Sequence, residues 1–329
     1  MLKTNTAAAA IVAVAAISAA ALTAQTAQLK GSIKIDGSST VAPITTAVAE
    51  EFRETAPNVR VTVGISGTGG GFKRFAANDL DISDASRPIK KEEMEACKKT
   101  NVEFIELPVA FDGLSIVVNK KNTWVEYLTI EDLRTIFSAD RAAMNWSDVR
   151  PEWPAKPIKI FSPGTDSGTF DYFKEEVVGK DGKIRGDMSV SEDDNVLVRG
   201  VEGDENAIGF FGFAYFVENQ KRLKVVPIDS GSGAITPTHQ TIEDGTYAPF
   251  GRPLFIYVNK TSAARPEVKT FVEYYLVNVG KLAEEVGYVK LPQAVIDKAK
   301  ANFEKARTGT QFTNDNGQKV SGPLAKVYN

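Results

Sequence analysis

Short strand-like segments alternate with helix-like segments along the chain, and this alternation limits the possible folds more than any other feature. The segment "SIKIDG" is typical of a short strand, and "APITTAVAEEFRETAP" after it places Ile44, Val48 and Phe52 on one face of a helix. The β-branched run "VRVTVGIS" predicts a second strand, and the same order continues into the second half of the chain. This order predicts an α/β fold with mainly parallel strands.

Two long extended segments, residues 102–119 and 252–259, interrupt the alternation. Each joins α/β halves of similar chemistry, and a chain that crosses from one lobe to another and later returns needs two such connections. We therefore expect two lobes with a cleft between them. Lobe 1 is predicted to comprise residues 28–108 and 256–329, and lobe 2 residues 109–255.

The first 27 residues have the pattern of an export signal. Lys3 precedes an apolar Ala/Val/Ile stretch from about Ala7 to Leu22, and small and polar residues follow. A positive start, a short apolar core and small residues near a cleavage point are typical of a secretory signal. We predict cleavage after Ala24 or Ala27 and an exported, periplasmic protein. A membrane anchor is the alternative, although short alanine-rich segments span a bilayer poorly.

The composition argues against several classes of function. A formal net charge of -3 without basic clusters is unfavourable for binding nucleic acid. Cys97 is the only cysteine, which excludes an internal disulfide, and His239 is the only histidine. A zinc site of nitrogen and sulfur ligands is therefore not expected, and we predict no metal or cofactor. A Ser-His-Asp triad would have to use His239, and the chain contains no GxSxG motif.

Four strand-to-helix junctions share one chemistry, because each combines small hydroxyl residues with glycine or a cation. Their sequences are "DGSSTVAP", "SGTGGGF", "SDASRP" and "GTDSGTF". The residues concerned are Ser38, Ser39, Thr40, Ser66, Thr68, Ser83, Ser86, Arg87, Thr165, Ser167, Gly168 and Thr169.

Such junctions are suited to binding an anion. The first N–H groups of a helix lack partners within the helix and lie at the positive end of its dipole, and ligands of open α/β sheets collect where these loops lie. Serine and threonine are also common helix caps, so capping is the alternative for any single junction. Nucleotide binding is poorly supported, since "SGTGGGFK" fits neither the Walker pattern nor GxGxxG.

Five motifs in order, "DGSSTVAP", "SGTGGGFKRF", "DISDASRPI", "PGTDSGTFDYF" and "NAIGFFGFAYF", resemble those of the periplasmic phosphate-binding proteins of phosphate ABC transporters. The segment "GTYAPFGRPLFIYVN" is similar to the return crossover of that family. The resemblance covers the chain behind the export signal. It implies a two-lobed type II periplasmic-binding-protein fold that closes on inorganic phosphate. It also implies a protein, expected to be monomeric, that delivers phosphate to a membrane permease.

The resemblance also implies a set of phosphate ligands. These are Ser39, Thr40, Thr68, Gly69, Ser86, Arg87, Ser167, Gly168 and Thr169. Two positions depart from the best-known members, because Ser86 stands at the usual aspartate and Pro163 at the usual arginine. Arg87 is therefore expected to be the only strong cation of the site. Asp84, Asp166 or Asn195 are further candidates. The alternative for the two aspartates is a role as loop cap or as partner of Arg87, and the alternative for Asn195 is a solvated position.

Three other functions remain open from the residues alone. The anion could be another tetrahedral oxyanion, such as sulfate, or a phosphate monoester. A secreted phosphatase is a less favoured alternative, because phosphoryl hydrolysis usually needs metal ions or an activated nucleophile. An anion-binding adhesion or structural protein is the third. The preferred prediction is a binding protein without enzymatic activity.

Overall fold

The structure is a computed structural model. It describes residues 28–165, 167–179, 181–191, 193–314, 318, 320 and 322–329. The predicted export signal, residues 1–27, and the candidate ligand Asp166 lie outside the described residues.

Strands and helices alternate as predicted. The strands are β1 (Gly31–Gly37), β2 (Val59–Val63), β3 (Ile82–Ala85), β4 (Phe104–Asn119), β5 (Leu128–Thr129), β6 (Lys159–Ser162), β7 (Ser189–Val190), β8 (Ala207–Gly212), β9 (Leu223–Val225), β10 (Ile228–Asp229), β11 (Ala234–Ile235) and β12 (Gly251–Asn259). The helices are α1 (Ala42–Thr55), α2 (Gly67–Ala76), α3 (Lys91–Lys99), α4 (Ile130–Phe137), α5 (Trp146–Val149), α6 (Gly168–Val178), α7 (Asp194–Gly203), α8 (Phe213–Asn219), α9 (His239–Glu243), α10 (Lys260–Ala263), α11 (Pro266–Glu285), α12 (Gln293–Glu304) and α13 (Leu324–Val327).

The apolar pattern of the first helix decides how it packs. Ile44, Val48 and Phe52 of α1 are fully buried, as their spacing along one helical face predicts. The ring of Phe52 lies edge-on to Phe271 of α11, with ring centroids 5.2 Å apart. Helices α1 and α11 therefore cover the same part of the sheet.

Nine strands among the described residues form one mixed sheet, in the order β2-β1-β3-β12-β4-β8-β6-β7 with β9 beside β4. Strands β2, β1 and β3 are parallel, and so are β8, β6 and β7, but β12 is antiparallel to both β3 and β4, and β4 is antiparallel to β8. The prediction of mainly parallel strands is wrong for the centre of the sheet. The reason is that β4 carries the chain away from the first group of strands and β12 brings it back.

The long strand β4 connects the two groups of strands. It pairs with β12 from Phe104 to Gly113 and with β8 from Leu114 to Val118, and all sixteen of its residues are buried. The prediction of two extended connections is confirmed by β4 and β12. The carboxyl ends of β1 and β3 lie side by side, with Gly37 opposite Asp84, so the loops after these strands meet at one edge.

None of the helices within the described ranges combines the length and apolar character that crossing a bilayer requires.

Candidate functional site

All four predicted junctions contribute to the wall of one cleft of about 1050 Å³. The strand order explains why the first three meet, since parallel neighbours β1, β2 and β3 bring their following loops to the same edge. The fourth loop follows β6 of the other group of strands and lies opposite them. The residues from the four junctions that line the cleft are Ser38, Ser39, Thr40, Gly67, Thr68, Gly69, Ser86, Arg87 and Gly168.

The first loop is held by backbone contacts to β3. Gly37 has a φ of 144°, and a Cβ atom there would collide with the backbone of Asp84. The N–H of Ser38 donates to the carbonyl oxygen of Asp84 over 3.0 Å, and the N–H of Thr40 donates to Ser38 Oγ over 3.2 Å. The hydroxyl of Ser39 has no hydrogen bond to a described residue and remains a donor for a ligand.

The second and third loops are connected by their hydroxyl groups. Thr68 Oγ1 accepts the N–H of Ser86 over 3.2 Å and lies 3.1 Å from Ser86 Oγ. Because a hydroxyl can accept and donate at the same time, this pair still has one proton to donate to a ligand. Thr68 and Ser86 thus act as a unit, which the sequence did not indicate.

The fourth loop meets the first across the cleft. A Cβ atom on Gly168 would lie 2.9 Å from Thr40 Cα and 3.0 Å from Thr40 N, so only glycine permits this approach. Ser167 is the N-cap of α6 and accepts the N–H of Thr169 over 3.2 Å. Gly168 lines the cleft, whereas its chain neighbours Ser167 and Thr169 are not part of the cleft wall. At this junction Ser167 therefore caps the helix, and Gly168 also packs closely against the first loop.

Arg87 lines the cleft but already has an ionic partner. Its guanidinium forms a two-pronged pair with Glu93, with Nη1 2.9 Å and Nη2 2.8 Å from the two carboxylate oxygens. Nη1 also donates to the carbonyl oxygen of Pro88 over 3.1 Å, and the guanidinium lies 5.6 Å from the ring centre of Phe72. The positive charge of Arg87, which was expected to face the anion, is therefore shared with the carboxylate of Glu93.

A second guanidinium, that of Arg252 on β12, also lines the cleft. Its Nη2 donates to Thr40 Oγ1 over 3.4 Å and to Asp112 Oδ2 over 3.2 Å, and its Nε lies 3.3 Å from the same oxygen. The guanidinium carbon lies 3.5 Å from the ring centre of Tyr172 on α6. Arg87, predicted to be the only strong cation of the site, is therefore not the only arginine that lines the cleft.

The sequence contains a signal that could have revealed this second cation. Asp112 and Arg252 are each a lone charge inside an apolar run, "PVAFDGLSIVV" and "GRPLFIYV". Lone charges that are buried are usually paired with each other, and the register of β4 and β12 places these two residues directly opposite.

Two buried carboxyl groups beside the cleft differ in their partners. Burial raises the pKa of Asp112, and the neighbouring Arg252 opposes that shift. Asp84 is completely buried, neither of its carboxyl oxygens has a hydrogen-bond partner among the described residues, and burial raises its pKa to about 8. Asp84 is not part of the cleft wall.

The candidate Asn195 is exposed and donates to Asp193 at the start of α7.

The single histidine and the single cysteine of the chain both pack against other parts of the protein. No three His, Cys, Asp or Glu residues there form a group that could hold a metal ion. His239 lies edge-on to Phe213, with ring centroids 5.0 Å apart. Cys97 is buried, and burial raises the pKa of its thiol to about 11.

Comparison with known proteins identifies the family. Residues 22–278 match the model of the PBP superfamily domain. Protein SphX of Synechococcus elongatus is 50% identical over 283 residues, which cover 85% of this chain and 83% of that protein. Phosphate-binding protein PstS of Staphylococcus saprophyticus is 42% identical over 266 residues, covering 80% of this chain and 82% of the relative. The chain belongs to the SphX and PstS family of the PBP superfamily.

Solved structures agree with this assignment to the PBP superfamily. A possible phosphate binding protein from Planctomyces limnophilus has a TM-score of 0.82 and 45% identity, and the match covers 85% of this chain and 100% of that chain. An ABC-type phosphate transport receptor from Vibrio cholerae has a TM-score of 0.63 and 26% identity, covering 79% and 100%. The predicted type II periplasmic-binding-protein fold is confirmed for this PBP superfamily member.

Proposed function

We propose that the protein binds inorganic phosphate outside the cytoplasm and delivers it to the permease of a phosphate ABC transporter. The observation that carries this proposal is the convergence of four donor-rich loops and the Arg252 guanidinium on one cleft. The names of the relatives, a phosphate-binding protein and a phosphate transport receptor among them, support the choice of phosphate.

The proposed ligands are mostly neutral dipoles. They are Ser39, Thr40, Thr68, Gly69, Ser86, Arg87, Ser167, Gly168 and Thr169, to which we add Arg252. The hydroxyl of Ser39 and the shared proton of the Thr68–Ser86 pair are available donors. Ser167 uses an oxygen lone pair for its cap and keeps its own proton. Hydroxyl and N–H groups at helix starts suit a tetrahedral anion with four oxygens to satisfy.

Arg252 is the proposed main source of positive charge. Its Nε and Nη2 hold Asp112, while its Nη1 has no hydrogen bond to any described residue. The Arg252 side chain is only 16% exposed, so a charge-assisted bond from Nη1 to phosphate would be weakly screened by water. Arg87 is paired with Glu93 through both of its terminal nitrogens, so it contributes less.

We also propose that lobe 1, residues 28–108 and 256–329, and lobe 2, residues 109–255, close on the ligand. Arg252 contacts Thr40 of the first loop and Tyr172 of α6, so its guanidinium bridges the two sides of the cleft. Contact between Gly168 and the Thr40 backbone supports a closed form. A ligand that binds both sides favours that form.

The remaining parts of the proposal follow from this role. The protein acts as a monomeric binding protein without enzymatic activity and without a cofactor. It is exported to the periplasm by residues 1–27, which are cleaved. Its partners are inorganic phosphate and the membrane permease.

Titration calorimetry with phosphate and sulfate, beside an assay with a chromogenic phosphate ester, tests the function. We expect tight binding of phosphate, much weaker binding of sulfate and no ester hydrolysis. Equal affinity for both anions would mean that the site binds tetrahedral oxyanions in general rather than phosphate in particular. Catalytic turnover of the ester would establish an enzyme, and binding of neither anion would refute the proposal.

A further inference from the structure

A network with a buried centre connects the start of β4 to the loop that carries Ser86 and Arg87, and its outer members Ile89 and Thr313 line the cleft. At its centre is Glu106, which is 3% exposed. Its carboxylate accepts the hydroxyl of Tyr257 over 2.7 Å, the hydroxyl of Thr310 over 2.6 Å and the N–H of Gln311 over 2.8 Å. Three donors orient this carboxylate, which therefore orients the hydroxyl of Tyr257 in return.

Tyr257 transmits this orientation to the binding loop. Its hydroxyl oxygen accepts the N–H of Ile89, two residues beyond Arg87, over 2.9 Å. Its ring also lies edge-on to Phe72, with centroids 4.8 Å apart, and Phe72 is the ring beneath the Arg87 guanidinium. The fully buried Tyr257 thus contacts the loop at its backbone and supports the arginine from below.

The C-terminal segment binds the other backbone polar group of Ile89, its carbonyl oxygen. Thr313 Oγ1 donates to the carbonyl oxygen of Ile89 over 2.7 Å. Thr310 and Gln311, just before it, are the residues bound to Glu106. Both backbone groups of Ile89 are therefore fixed by one network, which joins β4, β12 and residues 310–313.

We infer that Tyr257 is a positioning residue for phosphate binding, which acts through Ile89 to hold Ser86 and Arg87 in place. This inference rests on the proposed function and adds a residue that does not touch the ligand. A loop whose two ends are free to shift would lose the alignment of Ser86 with Thr68, and each ligand bond depends on that alignment.

Tyr257→Phe removes the hydroxyl and keeps the ring against Phe72. We expect phosphate affinity, measured by calorimetry, to fall about tenfold. Tyr328→Phe is the matched control, because Tyr328 is equally buried and its hydroxyl donates to the Glu106 carbonyl oxygen over 3.0 Å, but it does not touch Ile89. This control should bind phosphate within about twofold of the wild type.

A double-mutant cycle separates positioning from a general loss of stability. In a background with Ser86→Ala and Arg87→Ala, adding Tyr257→Phe should change the affinity less than about twofold, since the groups that it positions are absent. An undiminished loss in that background, or an equal loss in Tyr328→Phe, would overturn the inference. Should Tyr257→Phe fail to fold, Thr313→Val removes the second anchor of Ile89, and the same cycle applies. Failure of the wild type to bind phosphate would instead refute the proposed function.

Discussion

Replacing Gly168 by alanine adds one methyl group at the point where the two sides of the cleft meet. The added carbon would lie 2.9 Å from Thr40 Cα and 3.0 Å from Thr40 N. These are backbone atoms of a loop tied to β3 through Ser38 and Asp84, so they cannot rotate away as a flexible side chain would. The sides of the cleft must separate, or the loop must shift.

The size of the effect follows from the cost of overpacking. Inserting a methyl group into a well-packed contact costs about 1 to 3 kcal/mol. Under the closure proposed above, this cost falls on the closed, phosphate-bound form and reduces phosphate affinity by about 5- to 150-fold. An open form in which the two sides of the cleft are apart would not bear the cost, so thermal unfolding without phosphate should change little.

Calorimetry measures the affinity, and small-angle scattering with and without phosphate measures the compaction. Gly203→Ala is the matched control, because Gly203 lies in α7 and a Cβ atom there meets no heavy atom within 4 Å. We expect this control to bind and compact like the wild type. If Gly168→Ala also did so, the contact with Thr40 would not belong to the phosphate-bound form and the reasoning would be refuted.

Three further predictions concern the cleft and its supports. Arg252→Gln should weaken phosphate binding, measured by calorimetry, by about 2 kcal/mol or more, because it removes a partly buried cation. Changing both Arg87 and Glu93 to Gln should weaken binding less. If the double change weakened binding more than Arg252→Gln, Arg87 would be the main cation of the site. Thr68→Val should lower both affinity and melting temperature, since it leaves the Ser86 N–H without its acceptor, and an unchanged melting temperature would contradict this. Burial raises the pKa of Glu106 to about 7, so its contribution to stability is fully present below its ordinary pKa and is lost as pH rises through 7. The free energy of unfolding of the wild type, measured with urea, should therefore fall between about pH 5 and pH 8, and Glu106→Gln should make this fall about 2 to 3 kcal/mol smaller. Equal falls in the two proteins would exclude this titration.

The local chemistry of the binding loops could be predicted from the sequence. A strand followed by a helix places small donors such as Ser39 and Thr68 beside unpaired N–H groups, and this depends only on residues next to each other in the chain. The strand and helix positions follow for the same reason, as the buried face of α1 illustrates. The alternative of capping also proved partly right, because Ser167 does cap α6.

Only the tertiary structure decided which charges face the cleft. Arg252 and Asp112 are 140 positions apart, and the pairing of β4 with β12 brings them together. Glu93 takes up the charge of Arg87 because α3 begins just after the third loop. Glu106 and Thr310 are 204 positions apart, and the packing of the C-terminal segment against β4 brings them together. The partners of Arg252 and Glu106 are fixed only when segments far apart in the chain pack together and bury these groups side by side.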